Sequence, residues 1–240
     1  MYCKIIVPVP IKKEYTYKCP KNLTLKRGDV VAVPFGRRKS EIGLVYSIIK
    51  KPEIKYPIQN LKKIINKINN IHLNPYMVEF IEWVAKYTLY SKGVILKMVL
   101  PNIKIIDYKL EKSQKTNKIK EKIKAKLNTE QEKAFKLIKN YLKHKHTTIV
   151  LEGVTGSGKT EVFLEAVENI IKKNKQVLIL LPEISLTPNL EKRFTNHFGF
   201  EPEIWHSKIS NLKKRKIWRQ CFSGKSEIII GARSSLFLPF

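Results

Sequence analysis

Cysteine is scarce in this sequence, long apolar runs are missing, and basic residues outnumber acidic ones by more than two to one. Each shortage excludes something. Cys3, Cys19 and Cys221 are too few and too scattered for a disulfide framework or a zinc site, a usage that fits a reducing cytoplasm. No run approaches the roughly 18 apolar residues of a membrane span. The opening stretch MYCKIIVPVPIKK has only a short apolar run, Ile5 to Val9, interrupted by Pro8, which is too short for a secretory signal. The expectation is a soluble cytoplasmic protein with no membrane partner.

What is abundant is lysine. The 47 Lys and Arg against 20 Asp and Glu give a net charge of +27, which favours polyanions such as DNA, RNA or an anionic membrane surface. Only seven of the basic residues are arginine, and a chain so rich in Lys, Ile and Asn also reflects an AT-rich coding sequence. Charge alone therefore supports a nucleic-acid partner only in part. The mix of 43% apolar and 28% charged residues is that of a globular chain, and 240 residues predict one or two domains.

Residues 1–50 read as strands and turns, with EYTYKC and DVVAVPF as β-branched and aromatic strands and KRGD and FGRRKSEIG as turns. Asn74 before Pro75 reads as a helix cap, and PYMVEFIEWVAKYTLY has apolar residues at helical spacing. Residues 1–102 are thus expected to form a small β-rich domain with an added helix. Residues 103–127 hold nine Lys against three acidic residues, without Gly or Pro. They read as a charged linker, partly helical, or as a disordered arm that contacts nucleic acid.

From residue 128 to 240 the pattern becomes βα. A capping box of Thr129 and Glu132 opens an amphipathic helix, and TTIVLEG reads as a buried strand before a glycine loop. The next helix carries Val162, Phe163, Ala166, Val167, Ile170 and Ile171 as one apolar stripe. A strand QVLILL, a helix over about 187–198, a strand EPEIW, a helix NLKKRKIWRQCF and a strand SEIIIG follow. The predicted fold class is α/β, a small β-rich domain followed by a parallel sheet with helices on both faces.

Gly153, Gly158, Lys159 and Thr160 match G-x-x-x-x-G-K-[ST], with Val154, Thr155, Gly156 and Ser157 inside the loop and Glu161 just after it. Glycines let the backbone wrap a phosphate closely, and a helix N-terminus adds a positive dipole end. Lys159 is expected to neutralise the β- and γ-oxygens of ATP, and Thr160 to hold Mg²⁺. A chance match in a chain of this length is on the order of 1%. Three strand-end clusters lie downstream: LLPEISLTPNLEKRF, WHSKIS and IIIGARSSLFLPF. Small hydroxyl residues, Gly and Arg at strand ends suit a phosphate-rich strand.

Taken together, these stretches resemble the primosomal protein N′ family of replication-restart helicases, within DNA helicase superfamily two. The family's LT-x-EQ context is matched by LNTEQ, and its GVTGSGKTEVY by GVTGSGKTEVF. PEI-x-LT is matched at Pro182–Thr187, HS at His206 and Ser207, and G-x-RS-x-LF-x-PF at Gly231–Phe240. In the first domain YTYKCP, RGDVVAVPFGRR and GLVY look like the family's domain for the 3′ end of a nascent strand. The stretch WVAKYTLYSKGVILKMVLP looks like that domain's closing helix.

The resemblance implies an ATP-dependent 3′-to-5′ DNA helicase that recognises abandoned forks and starts primosome assembly. It implies that Gln131 reads the adenine edge and that Thr187, Ser207, Arg233 and Ser234 touch the DNA backbone. Tyr15, Thr16, Tyr17, Arg37 and Arg38 are the implied contacts to a 3′ end. Primosome and single-strand-binding proteins are the implied partners, beside forked and single-stranded DNA. The sequence departs from the family in three ways. The interval expected to hold a winged helix is the lysine-rich stretch, and Thr16 stands where an aspartate is usual. The sequence also reaches Phe240 before a D-E-x-H box, so the water-activating carboxylate, the second lobe and the zinc-binding cysteines are expected elsewhere. Two other readings remain: another ATP-driven nucleic-acid translocase, and a DNA- and nucleotide-binding module without turnover.

Overall fold

The computed structural model describes residues 1–52, 57–100, 127–144, 146–182 and 188–240. The expected linker 103–127 lies outside the described residues except for Leu127. The chain divides into two compact units, Met1–Lys109 and Leu110–Leu238.

The described residues of the first unit form five strands: β1 (Tyr2–Ile6), β2 (Tyr15–Lys18), β3 (Asp29–Phe35), β4 (Arg38–Ile49) and β5 (Asn66–His72). They form one sheet in the order β2-β1-β4-β3-β5, antiparallel throughout. Side chains alternate across a pleated strand, and here both faces are covered. Cys3, Ile5, Val31, Val33 and Val45 join Tyr17, Leu25 and Ile64 in one buried cluster. Val30, Ile42 and Leu44, at intervening positions, are buried as well. Two helices, α1 (Pro75–Thr88) and α2 (Lys92–Val99), add Met77, Val78, Ile81, Val84, Ile95, Leu96 and Val99 to the buried set.

Local chemistry fixes these elements. The Asn74 side chain accepts from Met77 N at 2.8 Å with Pro75 at the first helical position, as the sequence predicts. The helical stretch then breaks in two, because Leu89 turns left-handed (φ 60°) and Ser91 caps a new helix. The turn expected over FGRRKSEIG is far shorter than that. Phe35 already pairs with Arg38, so Gly36 (φ 55°) and Arg37 make a two-residue hairpin loop. Asp29 is fully buried and accepts from Lys26 N (2.8 Å) and Lys67 Nζ (2.7 Å), with His72 Nδ1 at 3.0 Å. It ties β3 to β5. Burial alone would raise its pKa, but these hydrogen bonds outweigh it and hold the carboxyl below its ordinary value.

The second unit contains α3 (Thr129–Tyr141), α4 (Lys159–Ile171), β6 (Val177–Leu180), α5 (Pro188–Phe198), β7 (Glu203–Trp205), α6 (Asn211–Phe222) and β8 (Ile228–Gly231). Among the described residues its three strands are parallel, in the order β6-β8-β7. Leu164, Val167 and Ile171 of α4 and Phe194 and Phe198 of α5 pack with Ile179, Ile204, Ile228 and Ile230. A β-rich first domain and a parallel α/β second region are the fold class the sequence predicts.

Three details differ from the sequence reading. The capping box of α3 is Asn128 with Gln131, one residue earlier than expected: Asn128 Oδ1 accepts from Gln131 N, and Gln131 Oε1 accepts from Asn128 N, both at 2.9 Å. The apolar face of α4 is rotated, burying Leu164 and leaving Phe163 38% exposed. The TTIVLEG stretch, residues 147–153, forms no strand, and Val150 is 85% exposed. A strand exists only through a ladder partner, and no described strand pairs with this one.

Candidate nucleotide and DNA sites

Residues 153–160 follow the TTIVLEG stretch and enter α4 through two left-handed glycines, Gly156 (φ 84°) and Gly158 (φ 79°). Both conformations favour glycine, and together they curl the backbone into a loop at a helix N-terminus. Val154, Thr155 and Ser157 form the exposed rim, and Thr160 stands in the first turn of α4, half-buried. Lys159 Nζ folds back over the loop and donates to Gly153 O (2.5 Å) and Val154 O (2.8 Å). Gln131 lies across it, its Nε2 donating to Ser157 O at 3.2 Å. The geometry supplies a lysine, a hydroxyl, a curled backbone and a dipole end around one point, a donor set that fits a Mg²⁺-bound triphosphate. Glu161 in the first turn is ion-paired with Arg193 of α5. The sequence reading did not single out Arg193, since nothing local marks it.

The strand-end residues are gathered by register. Leu180, Gly231 and Trp205 stand side by side at the last rungs of β6, β8 and β7. Ser207, after β7, and Arg233 and Ser234, after the adjacent β8, therefore emerge at the C-terminal edge of the sheet, all exposed. Gly231 is needed there: a Cβ on it would come within 2.7 Å of Ser235 Oγ and 2.9 Å of Trp205 O. Lys214 Nζ donates to Ser207 O at 2.9 Å, which brings a cation to the same edge. Thr187 lies outside the described residues.

In the first unit Tyr15, Thr16 and Tyr17 line an open cavity of about 260 Å³ together with Pro34, Phe35, Gly36, Asn60, Leu61 and Lys62. The 58–64 segment is held against β2 by Lys18 N to Lys62 O (2.9 Å) and Ile64 N to Lys18 O (3.1 Å). The two tyrosines differ. Tyr17 is buried, and its hydroxyl donates to Pro34 O at 3.1 Å, so it is a wall. Tyr15 is half-buried and packs edge-on to Phe35, ring centroids 5.0 Å apart. Arg37 and Arg38 sit at the adjoining hairpin tip, and Arg38 is ion-paired with Glu41. The sequence reading missed Phe35, Gly36, Asn60, Leu61 and Lys62. A glycine between an aromatic and two arginines was the available signal for the first two, while the others arrive from distant chain.

Comparison with known proteins bears on both units. Residues 4–101 match the model of the 3′ DNA-binding domain of PriA, and residues 124–240 match that described as type III restriction enzyme, res subunit. The replication restart protein PriA of Rickettsia conorii is 36% identical over 99% of this chain and 35% of its own length. That of Helicobacter pylori strain J99 is 29% identical over the whole chain and 35% of its length. The Bacillus subtilis protein is 41% identical over 48% of the chain and 14% of its length. The chain thus spans about a third of the relatives it matches end to end. With a 3′ DNA-binding domain model over its first part, a helicase-type model over the rest and 36% identity along its length to a replication restart protein, this chain belongs to the family of the PriA replication restart proteins.

Proposed function

We propose that this chain carries the 3′-end-reading and triphosphate-binding parts of an ATP-dependent 3′-to-5′ DNA helicase that acts at stalled or abandoned replication forks and begins primosome assembly. The reading assigns a 3′-end domain to residues 1–102, a lysine-rich linker to 103–127 and an ATP-binding lobe to 128–240. The observation that carries it is that one unit holds the cavity of Tyr15, Thr16, Phe35 and Lys62 and the other holds a complete P-loop.

In the first cavity the Tyr15 ring stacks on the terminal base, Thr16 accepts from or donates to the 3′-hydroxyl, and Lys62 meets the last phosphate. In the second, Lys159 leaves the carbonyls of Gly153 and Val154 for the β- and γ-oxygens, Thr160 holds Mg²⁺, and the loop amides of 154–158 line the phosphates. The metal supplies charge neutralisation of the phosphoryl oxygens. Gln131, already bonded to the loop, reads the adenine edge. Ser207, Arg233, Ser234 and Thr187 hold the backbone of single-stranded DNA. Restart and single-strand-binding proteins, and zinc in other parts of the parent protein, belong to the same reading.

The test is binding of the 240-residue chain to a short oligonucleotide with a free 3′-hydroxyl, against the same oligonucleotide closed into a circle. A preference for the free end that Lys62→Ala removes supports the reading. Equal binding of linear and circular DNA overturns it.

A further inference from the structure

Five aromatic residues of the first unit recur at 76, 80, 83, 87 and 90, intervals of four, three, four and three residues. The first four share one face of α1, and Tyr90 follows two residues past its end. That face is not the one that packs inward, which is Met77, Val78, Ile81, Val84 and Ala85. Tyr76, Trp83, Tyr87 and Tyr90 are 76, 59, 76 and 65% exposed. The rings are also ordered. Phe80 and Trp83 lie 6.4 Å apart with planes 19° from parallel, and Trp83 and Tyr87 lie 5.2 Å apart at 11°. A solvent-facing helix surface ordinarily carries charge, and burying these rings is worth far more than leaving them wet.

We propose that this aromatic face of α1 is a second DNA contact, a stacking platform for the bases of single-stranded DNA away from its 3′ end. The proposal rests on the DNA-binding reading of this unit but not on its 3′-end cavity, since no residue is shared between the two. Two observations select single-stranded nucleic acid as the occupant. Near-parallel planes form a column that unpaired bases extend, and every base has a face to stack, so the contact is tolerant of sequence. The surrounding charge suits a polyanion: residues 1–100 hold 19 Lys and Arg against six Asp and Glu. On the helix itself Lys86 is exposed between Trp83 and Tyr87, while Glu82 is already paired with Arg27 at 2.6 Å. Glu79 is the one exposed carboxylate on the helix, and it sits toward the N-terminal end.

The chain carries its own reporter. Of its three tryptophans, Trp205 and Trp218 are 7 and 1% exposed, so Trp83 alone is open to an external quencher. A circular oligothymidylate, which has no 3′ end, is titrated against the 240-residue chain. The expected result is quenching of tryptophan emission that Trp83→Phe removes while leaving affinity within about twofold. Trp83→Ser with Tyr87→Ser is expected to lower affinity for the circle by about tenfold, the worth of roughly one stacked base. Circles carrying 5-bromodeoxyuridine are expected to crosslink within residues 76–90. Unchanged affinity in the double serine variant, with crosslinks only in residues 128–240, overturns the proposal. So does loss of self-association in that variant without change in DNA affinity, which assigns the face to a protein contact. Loss of the 3′-end preference with the platform intact would instead break the reading of the cavity alone.

Discussion

In the proposed function the two units meet the same demand, holding an anionic ligand, with opposite economies of structure. In the first unit the cavity walls are also core: Tyr17 belongs to the buried cluster and Lys62 is fixed by backbone hydrogen bonds to β2. In the second the P-loop follows a stretch that pairs with no described strand, and it is kept in shape by Lys159 and Gln131 bonding its own carbonyls. A site made of core walls is rigid before the ligand arrives. A site made of its own internal bonds exchanges them for the ligand.

The largest effect expected is on the first unit's buried anion. Asp29→Ala strands Lys67, His72 and the Lys26 amide, and thermal unfolding should show a loss of about 2–4 kcal/mol, discounted for the partly exposed Lys67. The same carboxyl sets a pH limit. Its folded pKa lies below the ordinary 3.8, so its contribution is complete above that value and is lost as pH falls below it. Acid titration of Asp29→Asn should lack that component, and an identical acid limb in both proteins contradicts the assignment.

Next is the nucleotide. Lys159→Ala should weaken Mg-ATP binding by at least about a hundredfold in calorimetry, since the triphosphate loses its main counter-charge. The 240 residues should bind Mg-ATP without turning it over, and DNA-stimulated phosphate release by them would contradict this.

The contrast between the units can be attacked with one methyl-deletion pair. Val31→Ala opens a cavity in the first unit and should cost about 2 kcal/mol, whereas Val150→Ala on the exposed stretch should stay within about 0.5 kcal/mol. Equal costs would mean that residues 147–153 are packed as the sequence first predicts.

The smallest effect concerns Thr16. A neutral hydroxyl makes a hydrogen bond about half as strong as a carboxylate, and it does not repel a 3′-phosphate. Thr16→Asp should therefore raise the preference for 3′-hydroxyl over 3′-phosphate ends about fivefold in a competition assay. A strong preference in the unsubstituted chain that Thr16→Asp leaves alone would mean another residue reads the end.

Legibility in the sequence followed the locality of the physics. Strands β3 and β6, helix α6 and the Asn74 cap are decided by neighbours within a few residues, and the sequence predicts each of them closely. The P-loop was legible for the same reason, because Gly153 through Thr160 supply its glycine turns, its lysine and its hydroxyl within eight residues. The misreadings are non-local. TTIVLEG has the composition of a buried strand, yet pairing depends on chain elsewhere. Asn60, Leu61 and Lys62 reach the cavity only because Lys18 bonds to Lys62 and Ile64. The α3 cap shifted by one residue because Asn128 and Gln131 satisfy each other as well as Thr129 and Glu132 could, and Gln131 also reaches Ser157.

Hydrogen exchange of the 240-residue chain, followed by mass spectrometry with each ligand in turn, tests most directly that these are two distinct ligand sites. Mg-ATP should slow exchange across 153–161 and leave 15–18, 34–37 and 60–62 unchanged. A 3′-hydroxyl oligonucleotide should slow those three segments, and its circular form should not. The account is contradicted if Mg-ATP leaves 153–161 unprotected, or if linear and circular DNA protect 15–18 and 60–62 alike.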